Sequence, residues 1–230
     1  MTDAGSLLPI AMFPPESLRV VYIEMLYSPD GRKATKDSDL FTLARGTGFL
    51  YRVDEQIYLV TARHNFSGKH WETDEYLHSA YPVAPTHVAV SFRATTPTQV
   101  YKTGFQVPAH QYLINLVDDS WKPIWREHPR FGRSIDVAAM PFNLPTDRED
   151  LLIDAWDEAA PASDPTSKLW VSQQVAVVGY PYGLRGSFEL PLWSNGIIAS
   201  EPALLHIYRD IEYPLFLIDA RGRTGEVSPS

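Results

Sequence analysis

Apolar residues along this chain come in short runs separated by turn-forming residues, and seldom at helical spacing. The run Leu18 to Tyr27, LRVVYIEMLY, predicts a first strand. Gly46 to Asn65, GTGFLYRVDEQIYLVTARHN, predicts a hairpin: Phe49 to Val53, a turn at Asp54-Glu55-Gln56, then Ile57 to Thr61. The almost wholly apolar Tyr58-Leu59-Val60 suits a strand buried on both faces. Thr86 to Arg93 and His110 to Val117 also read as strands, and Ile135 to Met140 predicts a short one stopped by Pro141. Leu169 to Gly179, Leu190 to Ser200 and Tyr213 to Ala220 supply three more. Ser28-Pro29-Asp30-Gly31 and Tyr180-Pro181-Tyr182-Gly183 are turn chemistry. Asn195-Gly196 is expected to be a turn or bulge. The fold class this implies is all-β.

Residues 143–167 depart from the pattern. They are acidic and rich in Pro, Ala and Ser, with one helical turn expected around Arg148 to Trp156. Such a stretch marks an interdomain linker. The expected organisation is an irregular lead-in over 1–17, a first β unit over 18–142, the linker over 143–167, and a smaller second β unit over 168–230.

Composition supports this and narrows the partners. Aromatics reach 12%, and 19 Pro with 13 Gly punctuate the runs, as in β proteins with many short strands. The net charge of −8 comes with no basic block, so nucleic acid is not expected as the main partner. There is no cysteine, which removes disulfides, thiolate zinc sites and a cysteine nucleophile. The N-terminus carries no early positive charge, and Pro9, Pro14 and Pro15 break its apolar run, unlike a signal peptide. No apolar stretch approaches the roughly 20 residues that span a bilayer. A cytoplasmic protein with no membrane partner is expected.

Candidate chemistry starts at His64. A histidine where a buried strand stops is held rigidly while one side can reach a cleft, which is the setting of a general base. The competing reading is a structural histidine at a strand end. Asp136 opens a later strand, and Gly225 and Ser228 lie in a loop after the last one. The order His, Asp, then a Ser-bearing loop is one way to build an acyl-transfer triad. A hydroxyl attacks at neutral pH only when a neutral imidazole takes its proton. The imidazole in turn needs a carboxylate on its other nitrogen, and backbone N–H groups hold the oxyanion. His64, His70, Asp74 and His78 match no metal-ligand spacing, so no metal and no cofactor are expected. Tyr112, Trp121 and Trp125 are expected to cover the first unit and line the edge of its cleft. The acidic run Asp147 to Asp157 reads as solvated linker.

Five words of the sequence carry a family likeness. They are GTGFLY with YLVTARH around His64, IDVAAMPF around Asp136, VVGYPYG near Tyr180, LWSNGIIAS near Gly196, and FLIDARGRTG leading to Gly225. With them the chain, from about Leu18 to Gly225, resembles the trypsin-like serine peptidases of the chymotrypsin fold, in their bacterial, cysteine-free type. The resemblance implies two six-stranded barrels with the triad in the cleft between them. It implies a polypeptide substrate or peptide ligand, His64 as base, Asp136 as its partner, and Gly225 at the oxyanion hole.

The likeness fails at one place. The family continues Gly-x-Ser-Gly-x-Pro, whereas this chain reads Gly225-Glu226-Val227-Ser228-Pro229-Ser230. Val227 stands where the nucleophile is expected and has no nucleophilic atom. Ser228 is a displaced candidate whose backbone Pro229 restricts. The three strands that close the family's second barrel do not follow. The expectation is a complete first barrel, a second barrel about half present, and a serine endopeptidase-type protein that is inactive or impaired through truncation or frameshift. The alternative is a non-catalytic peptide-binding or regulatory β-barrel module. Unpaired strands of the second barrel are expected to favour association.

Overall fold

A computed structural model describes residues 13–29, 40–79, 81–94, 98–100, 104–106, 109–143, 151–157 and 169–220. Apart from two five-residue helices and two short 3-10 turns, its regular structure is β. The all-β class is therefore correct. No helix among the described residues is long and apolar enough to cross a membrane.

The chain enters through α1 (Pro15–Arg19), one helical turn with proline at its start, where the missing N–H costs nothing. The first strand, β1 (Val20–Tyr27), therefore begins at Val20, and the expected start at Leu18 falls inside α1. β1 pairs with β2 (Phe41–Val53), which turns at Asp54-Glu55 into β3 (Gln56–Thr61). The predicted hairpin is present, with Val53 opposite Gln56 and Gly48 opposite Thr61. β3 is not buried on both faces: Ile57, Leu59 and Thr61 are buried, and Gln56, Tyr58 and Val60 are half-buried. One face meets the core and the other is only partly covered.

One turn of helix, α2 (Arg63–Ser67), follows β3. Then come β4 (His87–Ala94), the paired strands β5 (Thr98–Val100) and β6 (Gly104–Gln106), β7 (Ala109–Asn115), β8 (Arg126–Glu127) and β9 (Ala138–Phe142). Pro141 does not stop β9. Among the described residues β8 accompanies β9 at Ala138 and Ala139 and nothing pairs on that side at Pro141, an edge position that tolerates a missing donor. In residues 151–157, where a helical turn is expected, the chain instead makes two short strands. β10 (Leu151–Leu152) pairs with β4 and β11 (Trp156–Asp157) runs parallel to β2. Two of the acidic residues there are held by cations, Asp154 by Arg19 at 2.9 Å and Asp157 by Arg52 at 4.0 Å. These strands complete a nine-stranded sheet in the order β10-β4-β1-β2-β3-β9-β8, with β7 on β4 and β11 on β2. No pairing among the described residues joins its two ends.

β1 lies inside the sheet, between β4 and β2, and faces two cores. Val21, Ile23 and Met25 enter the main cluster with Leu50, Leu59, Phe66, Val88, Val90 and Met140. The alternate residues Val20 and Tyr22 pack with Tyr180 in a second, smaller cluster. Burial on both faces explains the nearly unbroken apolar run of β1.

Residues 169–220 form β12 (Gln174–Gly179), β13 (Leu192–Ile198) and β16 (Ile218–Ala220) in one antiparallel sheet, and β14 (His206–Tyr208) with β15 (Ile211–Tyr213) in another. Residues 169–173 lie before the strand expected from Leu169, and the strand expected from Tyr213 is split at Pro214, which cannot donate to a ladder. Asn195-Gly196 is neither turn nor bulge. Both residues lie within β13, and a Cβ on Gly196 would come within 2.8 Å of Ile218 on β16. Close approach of the neighbouring strand is what requires the glycine.

Tyr180 fastens this part to the first sheet. Its N–H donates to Thr47 Oγ1 (2.8 Å), and its hydroxyl accepts from Arg93 (2.5 Å) and donates to the Glu189 carbonyl (3.1 Å). Most of the large hydrophobic residues left exposed lie in residues 169–220, among them Trp170, Val177, Leu204, Ile207 and Ile218. Away from the junction, this part has little core of its own.

Candidate active site

His64 stands on α2, immediately after the buried end of β3. Ala62 caps α2 with extended backbone and no side-chain bond, and the turn ends at Gly68 with φ +66. A Cβ at Gly68 would meet Pro85 at 2.8 Å, so only glycine both makes the left-handed stop and lets the following loop return. The residues flanking His64 face inward. Arg63, Asn65 and Phe66 are buried, and Asn65 donates to Thr61 Oγ1 (2.8 Å), which donates to the Thr47 carbonyl (2.7 Å). His64 alone in this stretch is turned outward, its side chain 37% exposed.

Asp136 reaches it from the loop between β8 and β9, a succession of tight turns. It lies two residues before β9, outside the strand the sequence predicts from Ile135. Its carboxylate grips His64 at two points: Oδ2 is 2.6 Å from Nδ1, and Oδ1 accepts the His64 backbone N–H at 2.8 Å. An ionised carboxylate only accepts, so Nδ1 carries the proton and a neutral ring presents Nε2 as an acceptor. That is the tautomer a general base needs.

Burial of the Asp136 carboxyl pushes its pKa up. The ring and backbone hydrogen bonds from His64, with the Arg63 charge behind them, outweigh burial and hold it below the usual carboxylate value. A depressed folded-state pKa means that the contribution of Asp136 is in place above the unfolded value of about 3.9. It is lost as pH falls through the lower folded value. Asp136→Asn is therefore expected to flatten the acid limb of the stability–pH curve below about pH 4; an unchanged limb in the variant would count against the two-point grip.

Beside the dyad lies a cleft of about 220 Å³ whose wall includes His64, Met25, Leu43, Leu77, Val83 and Pro85. Its lining is apolar for the most part. It is smaller than the roughly 300–1,000 Å³ that hold whole drug-sized ligands, and matches a single side chain better.

The other sequence candidates are placed as follows. Gly225, Val227 and Ser228 lie outside the described residues. His70 and His78 each use Nδ1 to accept backbone N–H groups of local turns. Asp74 is engaged by Lys69, Arg63 and Arg133. Trp125 packs against the main core 6.0 Å from Phe66, and Tyr112 stands edge-on to Phe92, so both cover the first unit. Trp121 does not; it is exposed. Sequence reasoning missed the ion pair Arg63–Glu127 next to the dyad, 2.6 Å. The available signal was a charged residue directly before the candidate base in a stretch otherwise bound for the interior. No family model matches the chain, and no curated protein matches it.

Proposed function

We propose that this chain is a serine endopeptidase-type protein on a chymotrypsin-like double β-barrel, with His64 as general base and acid and Asp136 as its orienting carboxylate. The single observation that carries this reading is the two-point contact of Asp136 with His64, 2.6 Å at Nδ1 and 2.8 Å at the backbone N–H. On this reading the nine-stranded sheet is the first barrel and β12-β13-β16 the part of the second that the chain supplies. Two further features support a polypeptide ligand. The apolar cleft beside His64 is sized for a side chain. Among the described residues, β2 is paired with β1 from Phe41 to Phe49 but with β3 only from Gly48, which leaves its other edge, at Leu43 and Ala44 of the cleft wall, for an extended peptide to join. The exposed apolar residues of 169–220 are consistent with association through further strands.

The hydroxyl that His64 would activate is not supplied by Val227, and Ser228 is displaced by one position with Pro229 behind it. Hydrolysis is therefore impaired in this chain. A fluorophosphonate probe is expected to leave it unlabelled. The double substitution Val227→Ser with Ser228→Gly restores the Gly-x-Ser-Gly order and is expected to gain labelling. Adding His64→Ala should then slow that labelling at least about hundredfold, the usual worth of a positioned base. A double variant that stays unlabelled while folded would favour the non-catalytic peptide-binding module. Labelling of the parent chain that vanishes in Ser228→Ala would overturn the reading of Val227.

A further inference from the structure

The dyad is delivered by weak carriers. α2 is a single turn of five residues, far too short to hold a direction by itself. Asp136 lies in a turn-rich loop, two residues short of the β9 ladder. The backbone ladder of the sheet therefore fixes neither partner directly, and a misplacement of about 1 Å costs a catalytic pair on the order of a hundredfold.

The gap between these carriers is crossed a second time. Arg63, adjacent to His64, is 7% exposed and its Nε donates to Glu127 Oε1 at 2.6 Å. Glu127 is on β8 and stands opposite Ala138, the first residue of β9, two residues after Asp136. Two neighbouring residues on α2 thus reach the two arms of one loop, His64 to the end of it and Arg63 to its start. The same guanidinium is 3.5 Å from Asp74, which also holds Arg133 (3.6 Å) in the middle of that loop. Arg63 also contacts Ser67 Oγ at 3.5 Å within its own turn. A guanidinium this desolvated must keep a carboxylate partner, so the pair is persistent rather than a passing surface contact.

We propose that Arg63 and Glu127 are positioning residues for the His64–Asp136 dyad: their ion pair ties α2 to the strand-held start of the Asp136 loop and sets the distance across which His64 and Asp136 meet. The role rests on the reading of His64 as a base with Asp136 as its orienting carboxylate. It assigns to two residues outside the triad the geometry of the triad's first half. The fork of Arg63 suits this role because it engages Glu127 and Asp74 at once in fixed directions, which a lysine point charge does not.

The test uses the full chain and reads the His64 Nδ1–H proton by NMR, both its low-field position and its exchange with solvent, alongside the thermal midpoint. In the parent chain the proton is expected at low field, and Asp136→Asn should remove that signal. Glu127→Gln, a near-isosteric change at a part-exposed side chain, should keep the fold and speed exchange about tenfold, the factor carried by a lost charge-assisted hydrogen bond. Arg63→Met should match it. The double variant should exchange no faster than the faster single, because the two residues act as one unit. A merely structural pair would lower the thermal midpoint in these variants and leave the His64 proton as it was; that result overturns the positioning role. If Asp136→Asn itself leaves the proton unmoved, the dyad reading fails and the proposal with it. If Asp136→Asn removes the signal while Glu127→Gln does nothing to it, only the positioning role fails.

Discussion

Phe66→Ala is expected to lower the stability of the chain by about 3–5 kcal/mol and to dissolve the His64–Asp136 contact at the same time. Phe66 is the only large apolar residue of α2. It is 1% exposed, inserted in the main core and 6.0 Å from the ring of Trp125. Its removal opens a cavity under a turn that has no side-chain cap and too few residues to persist alone. A loss of this size is a large share of the roughly 5–15 kcal/mol that holds a domain folded. The measurement is urea unfolding of the variant together with the His64 Nδ1–H signal. A cost below about 1 kcal/mol with the signal intact would mean that α2 is held by its polar ties alone.

The second large effect is expected at the junction. Tyr180 is 3% exposed, stands edge-on to Tyr22 at 5.5 Å, and gives the buried Arg93 its hydroxyl contact. Burial pushes the Tyr180 hydroxyl pKa up, partly countered by Arg93, so it stays protonated and can donate to Glu189 while accepting from Arg93. Tyr180→Ala removes the ring and half-strands the guanidinium, with an expected cost of about 3–5 kcal/mol. Tyr180→Phe keeps the ring and isolates the hydroxyl, at roughly 1–3 kcal/mol. The loss should be local. Hydrogen exchange should quicken across residues 169–220 while β1, β2 and β3 stay protected, because the main core that holds them on their other face is untouched. Exchange that quickens uniformly over both parts would show that they unfold as one unit.

The parts of this structure legible in the sequence are those decided locally. The hairpin of β2 and β3 was readable because its turn and its two apolar runs are contiguous, although the half-burial of one face of β3 was not. His64 was readable as a residue emerging where a buried strand ends. Asp136 was readable through its place in the order His, Asp, Ser and through the word IDVAAMPF around it; nothing in its neighbours states that it lies 2.6 Å from Nδ1. What escaped depends on distant partners. Leu151–Leu152 and Trp156–Asp157 have too few residues to show a period, and they are strands only because β4 and β2 offer them an edge. Gly196 reads as a turn residue until β16 is seen to pass 2.8 Å from where its Cβ would be. Arg93 and Tyr180 read as a strand end and a turn residue, and their pairing spans 87 positions.

The spacing of the dyad has a consequence for how freely the chain around it can vary. His64 and Asp136 are 72 positions apart, yet β3 and β9, which lead to and from them, are neighbours in the sheet. The closure entropy of the chain between them rises only with the logarithm of its length, about 0.6 kcal/mol for each doubling. The segment at 69–85 can therefore gain or lose residues at little closure cost, provided that Asp74 keeps its contact with Arg63. Part of the cleft wall, Leu77, His78, Val83 and Pro85, is drawn from this segment. The architecture thus separates what must stay constant from what can be rewritten: ligand preference can drift by insertion in that segment while the proton-transfer geometry stays where the side-chain ties of Asp136 and Arg63 hold it.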